Sequence, residues 1–204
     1  MTRLPITQRR QQLVDAAIAV MTRDGVKRAT TRAIVAEAGT SLSVFHYCFD
    51  SKQELLESVV TTIVAKTVTL AEQSMTRALS GGGSVADETA RLDVVRSAMR
   101  AYWDHVTTSP AEHLLTYEVT QFCLREPDFS TVAQRQYEHY AHAYLVLFEE
   151  SGLTSDWPMP VLARFLAVVL DGLTLDWLAR RDDELSLAVL DAVATQVNAA
   201  LRPA

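Results

Sequence analysis

Residues 30–56 read TTRAIVAEAGTSLSVFHYCFDSKQELL, and the stretch breaks into two short helices around a tight corner. Thr30 or Thr31 supplies a side-chain oxygen for the orphan N–H groups at the start of the first helix. Ala33, Ile34, Ala36 and Ala38 follow at spacings that put small apolar groups on one inner face. Gly39 stands straight after the last periodic residue, where a left-handed backbone costs least without a Cβ. Ser41 then caps a second helix over about Leu42 to Cys48, with Val44 and Phe45 or Tyr47 turned inward. Two helices of this size joined by a short turn with Gly make a helix-turn-helix pattern. In that motif the second helix lies in the DNA major groove.

Spacing alone leaves other helical hairpins open, since many contain A-x-x-A-G. The residues around it narrow the choice. Ala38-Gly39-x-Ser41, then Val44-Phe45-His46-Tyr47-Cys48-Phe49, then Asp50-Ser51-Lys52-x-Glu54-Leu55-Leu56 resembles the signature of the TetR family of bacterial transcriptional regulators. That signature typically runs A-G-V-S-x-G-T-L-Y-Y-H-F-x-S-K-x-x-L-L, and the similarity covers roughly residues 8 to 60. The resemblance implies a DNA-reading surface at Thr40, Ser41, Leu42, Ser43, Val44, His46, Tyr47 and Cys48. Ser41 and Ser43 are suited to a base or a phosphate, Leu42 to a thymine methyl, and His46 to a base edge as donor or acceptor. It also implies phosphate contacts for Tyr47, Lys52, Thr30 and Thr31. The chain departs from the signature where Ser43 replaces Gly, His46 the first Tyr and Cys48 the His; none of these breaks the helix.

A chain of 204 residues, 49% hydrophobic with seven Gly and six Pro, is long enough to bury a core and suits a mainly helical protein. No run reaches the ~18 to 20 uncharged apolar residues of a membrane span, and MTRLPITQRRQQ lacks the apolar centre of a signal peptide, so a cytoplasmic protein is expected. Cys48 and Cys123 form neither a C-x-x-C pair nor part of a histidine cluster, which points to two reduced thiols. The net charge of −6 is unevenly spread. Residues 1–52 carry eight basic and four acidic side chains, net +4, and the remaining 152 carry eleven and twenty-one, net −10. A basic end on an acidic body fits a nucleic-acid partner at that end.

In order along the chain, residues 1–6 read as an arm. Thr7 is a plausible cap for a helix from Gln8 to Asp24 with Leu13, Ala16, Ala17, Val20 and Met21 on one face, stopped by Gly25. Arg9 and Arg10 at its start could approach phosphates or simply be solvated. Ser51 with Glu54 is a capping box opening a helix to about Leu79. Gly81-Gly82-Gly83-Ser84 reads as a loop. Five amphipathic patterns follow, about Asp87–Thr107, Pro110–Arg125 with Ser109 as cap, Phe129–Ser151 closed by Gly152, Pro158–Arg180 and Glu184–Leu201, with no strand-like alternation competing. The expected fold is all-α with about nine helices: a three-helix DNA-binding domain over 1–52 and a helical ligand-binding and dimerisation domain over 53–204.

The resemblance implies a ligand pocket in that second part. Residues of pocket-lining type there are Tyr102, Trp103, His105, His113, Tyr117, Phe122, Cys123, Phe148, Phe165 and Trp177. Tyr117 and Gln121, four apart, are able to share one interior face, and the chosen ligand residues are Trp103, Tyr117, Gln121, Phe122, Phe165 and Trp177. A mainly apolar cavity calls for a hydrophobic or aromatic small-molecule effector. Residues 160–179 and 185–201 are apolar on more than one face, and in a chain without a membrane span the second face needs a partner. Val161, Phe165, Val168, Val169, Gly172, Leu187, Leu190, Val193 and Val197 are therefore candidate homodimer contacts, and the last two helices are where the TetR family forms its interface. His139 and His142 beside Glu138 lack further ligands for a metal, and no cofactor is implied. An enzyme is disfavoured, since neither G-x-S-x-G nor H-E-x-x-H occurs. A helical interaction protein without DNA binding is the alternative to a regulator on a palindromic double-stranded operator.

Overall fold

The computed structural model describes residues 5–80 and 86–203, so the Gly81–Ser84 loop and most of the N-terminal arm lie outside the described residues. The described residues form nine α-helices: α1 Ile6–Asp24, α2 Thr31–Glu37, α3 Leu42–Cys48, α4 Lys52–Ser80, α5 Glu88–Thr108, α6 Pro110–Arg125, α7 Ser130–Glu150, α8 Met159–Arg180 and α9 Asp183–Ala200. A single 3-10 turn, Pro127–Phe129, precedes α7. One small ribbon was not legible as alternation: β1, Leu153–Ser155, pairs antiparallel with β2, Leu201–Pro203. Three residues per strand are too few to show a period of two.

The helix ends follow local chemistry, with two corrections. Thr30 Oγ1 accepts from the Ala33 N–H at 3.2 Å and Asp87 Oδ1 from the Ala90 N–H at 2.8 Å. Ser51 Oγ accepts from the Glu54 N–H while the Glu54 carboxylate reaches back to the Asp50 N–H at 2.8 Å. Gly25 and Gly39 end their helices at φ +85° and +59°. Thr7 is not a cap, because α1 begins earlier, after Pro5. Ser41 stands at the N-cap of α3 without a side-chain capping bond; its hydroxyl lies 2.8 Å from that of Ser43 instead.

The chain forms two compact units, residues 1–63 with 111–136 and residues 64–110 with 137–204. This division differs from a boundary at residue 52, since α6 and the start of α7 join the N-terminal helices. The first unit has a core of Leu13, Met21, Ile34, Phe45, Phe49, Leu55, Leu56 and Leu115, all nearly inaccessible to water. The second packs α5, α8 and α9 around Trp103, Val106, Leu162, Leu170, Trp177, Leu190, Val193 and Val197. Burying such a set supplies most of the stability of an all-helical body, at roughly 1.5–3 kcal/mol per large side chain.

Candidate nucleic-acid interface and ligand cavity

Two side chains of α1 pin the ends of the helix pair. The Gln12 amide donates to the Ala38 carbonyl at 2.7 Å, at the end of α2. The Arg10 guanidinium donates to the Cys48 carbonyl, pairs with Glu54 at 2.7 Å and lies 4.2 Å above the Phe49 ring. Carbonyls at helix ends lack intrahelical partners, so these bonds fix where α2 and α3 stop. Arg10 is therefore spent on holding α3 rather than on a phosphate. The Asp50 N–H, and then Arg10, hold the Glu54 carboxyl below its ordinary range.

With Phe45, Cys48 and Phe49 buried, the opposite side of α3 is left to solvent. Ser41, Leu42, Ser43, His46 and Tyr47 are all exposed, Tyr47 by 62%. Leu42, Ser43, His46 and Tyr47, at i, i+1, i+4 and i+5, share one face of the helix, with Ser41 at its N-cap. Thr30 is exposed at the N-terminus of α2 with Thr31 half-buried beside it, and Thr40 is half-buried in the turn between α2 and α3. Lys52 differs. Its ammonium sits 5.5 Å from the centre of the Phe122 ring of α6, half-buried, and desolvation lowers its pKa. A phosphate contact would require the side chain to leave that ring.

The first unit also contains contacts between the helix-turn-helix and α6–α7. Glu118 Oε1 accepts from the Val26 N–H at 3.1 Å, Gln53 donates to Thr131 at 2.7 Å, and Arg135 pairs with Glu57 at 2.8 Å.

In the second unit an apolar cavity of about 50 Å³ lies among α4, α5, α7, α8 and α9, lined by fifteen residues including Met99, Tyr102, Tyr144, Phe148, Leu166 and Leu170. Tyr102 and Phe148 were among the residues of pocket-lining type; none of the six chosen ligand residues lines this cavity. Trp103 and Trp177 are buried in the core against each other, ring centres 5.8 Å apart, and Trp177 donates to Asp183 at 2.7 Å. Phe165 packs edge-on to Trp157 at 5.4 Å. Tyr117, Gln121 and Phe122 belong to the first unit, where Gln121 is exposed rather than interior and Phe122 packs on Phe129 at 5.4 Å. Tyr144 was missed, although Tyr137, Tyr140 and Tyr144 share one face of α7 at i, i+3, i+7.

The apolar surplus of α8 and α9 divides unequally. Val161, Val168 and Leu175 recur every seven residues and are each about half exposed, at 53, 52 and 49%, and Gly172 is exposed among them. Phe165 and Val169 are half-buried along the same stripe, and Leu185 and Val189 add an exposed edge on α9. Leu190, Val193 and Val197 lie instead in the chain's own core, and Leu187 packs against it, because that side of α9 faces α5 and α8. Among the described residues no helix is long and apolar enough to cross a membrane, and no cluster of three or more potential metal ligands occurs.

A family model described as bacterial regulatory proteins, tetR family, matches residues 13–59. The chain is 28% identical over 183 residues to the HTH-type nicotine-responsive transcriptional repressor HdnoR of Paenarthrobacter nicotinovorans, covering 89% of each chain. Its structure is similar to that of the multidrug binding protein EbrR complexed with imidazole, at a TM-score of 0.58 and 26% identity over 91% of this chain and 94% of that one. EbrR complexed with ethidium gives 0.58 and 25% over 91% and 98%.

Proposed function

We propose that this chain, which belongs to the TetR family of bacterial transcriptional regulators, is a repressor that binds a palindromic operator as a homodimer in the cytoplasm and releases it when a small, largely apolar effector is bound. The observation that carries the reading is the exposed face of α3: two hydroxyls, an imidazole, a phenol and one aliphatic side chain on a helix whose C-terminal end is held by Arg10. Ser41, Leu42, Ser43 and His46, with Thr40 beside them, read base edges, and Tyr47, Thr30 and Thr31 hold phosphates and set the register. Lys52 joins them only after leaving Phe122. Residues 1–52 are the DNA-reading part, and the remainder binds effector and partner.

Pairing through Val161, Phe165, Val168, Val169 and Gly172 would present two α3 helices to successive major grooves, about 34–36 Å apart on the operator. The cavity bounded by Tyr102 and Tyr144 is the effector site. HdnoR is named for its response to nicotine and EbrR is bound to ethidium or imidazole, which favours a small aromatic effector here as well. At about 50 Å³ the cavity has room for only a few water molecules, so any such molecule must widen it. A ligand that binds one arrangement of the helices better than another shifts the population toward it, and with it the affinity for the operator.

Selection of random duplex DNA on the purified protein, with the mass of the recovered complex measured, tests this directly. Enrichment of an inverted repeat carrying two or four chains is the expected result. Failure to enrich any sequence at low salt, from protein first unfolded and refolded to strip bound small molecules, would overturn it in favour of a helical interaction protein.

A further inference from the structure

Within the first unit, the opening turns of α4 are docked on α6 and α7. Gln53 donates to Thr131 Oγ1 at 2.7 Å, Glu57 pairs with Arg135 at 2.8 Å, and the Lys52 ammonium lies 5.5 Å from the centre of the Phe122 ring. That ring is not free to follow the lysine. Phe129 packs edge-on against it at 5.4 Å, and a buried bond from the Thr120 hydroxyl to Gln136 Oε1 at 2.9 Å ties α6 to α7. Lys52 is the movable partner, an ammonium on a flexible stem. Its position carries a cost: loss of hydration holds its pKa below the ordinary value. Lys52 begins α4 just past the end of α3, and the other cation at that corner, Arg10, is already committed to Glu54 and the Cys48 carbonyl.

We infer that the Phe122 ring is an autoinhibitory seat for Lys52: the ammonium rests there in the free protein, a DNA phosphate draws it off, and the contact given up weakens the grip on the operator. The inference rests on the reading of α1 to α3 as the DNA-reading part. A ring face attracts a cation through its quadrupole, a phosphate through a full negative charge, so the phosphate wins once both are in reach. The net gain is smaller than for a lysine that waits in water. Each seat weakens binding by about two- to fivefold, so the two in a dimer weaken it by about four- to twenty-five-fold. Every duplex offers phosphates, and the seat therefore lowers affinity without choosing among sequences. α6 thereby sets how tightly the helix-turn-helix holds DNA while touching no DNA itself.

Operator affinity of the full chain as wild type, Phe122→Leu, Lys52→Met and the double variant, each measured over a range of salt, closes a double-mutant cycle. Phe122→Leu is expected to bind the operator and an unrelated duplex at least about fourfold more tightly than the wild type. Lys52→Met should flatten the salt slope by about one unit per chain, and Phe122→Leu added to it should bring no gain. An equal effect of Phe122→Leu in both backgrounds, or a salt slope indifferent to Lys52, would overturn the seat and leave the DNA-reading face standing. Should Phe122→Leu not fold, the ring current of Phe122 in the wild type reads the same contact. The Lys52 ε-methylene proton resonance, assigned by its absence in Lys52→Arg, should lie upfield in the free protein and return to the ordinary lysine position when operator is added. A resonance that stays upfield in the complex sinks the inference. A wild type that binds no duplex at all would overturn both readings.

Discussion

His46 and Tyr47 are neighbours on the exposed face of α3, yet their roles separate by chemistry. An imidazole at the middle of a recognition helix discriminates between base edges, so His46→Ala should change the preferred operator sequence. A phenol on phosphate has no base to prefer. Tyr47→Phe should weaken all sequences alike and reduce the magnitude of the salt dependence only slightly, because the lost group is neutral. Repeating the duplex selection with each variant checks both; an unchanged preference for His46→Ala removes it from base readout. Cys123 offers a different kind of test. Burial pushes its thiol up to about 11, from the ordinary value of 9.0, partly offset by the Lys52 ammonium. A group whose folded form resists ionisation costs stability once the unfolded chain ionises, so this contribution is constant below about pH 9 and declines between about 9 and 11. Urea unfolding at pH 8 and pH 10.5 should show a smaller alkaline loss for Cys123→Ala than for the wild type.

At the scale of the element, the corner after α1 depends on α6. Gly25 has φ +85°, and a Cβ there would lie 3.0 Å from Glu118 Oε1, the atom that accepts the Val26 N–H. Removing that acceptor orphans a half-buried donor, so Glu118→Ala should lower stability by about 1 kcal/mol, with Glu118→Gln retaining much of it; thermal unfolding of the two variants distinguishes them. The Glu118 contact was not legible in the sequence, because Val26 and Glu118 are far apart along the chain and nothing local marks either. What was legible had local causes. Gly39 and the Ser51–Glu54 box announce themselves within four residues, and the helices followed to within a residue or two at nearly every end. Side-chain type does not separate core from cavity, because large aromatics such as Trp103 and Trp177 are as useful in one as in the other. Leu190, Val193 and Val197 erred for a related reason: a helix that is apolar on two sides does not say which side its own chain takes.

For the whole molecule, the exposed stripe of Val161, Val168 and Leu175 is the feature that most needs a second copy. In the proposed dimer a charge set at its centre would face its own image across the two-fold axis, and like charges so placed cost several kcal/mol. Val168→Asp should therefore raise the dimer dissociation constant by at least about hundredfold, giving monomer in light scattering at micromolar protein and no stable operator complex. The near-closure of the cavity has a consequence of another sort. When only a fraction of molecules is open, apparent affinity falls by that fraction, so one open molecule in about a hundred makes the response about a hundredfold less sensitive. The dose at which a gene switches on is then set by packing as much as by recognition. If the cavity is the effector site proposed above, Leu166→Ala, which hollows its wall and leaves Tyr102 and Tyr144 alone, should move the dose–response curve to lower concentration without changing which compounds are sensed.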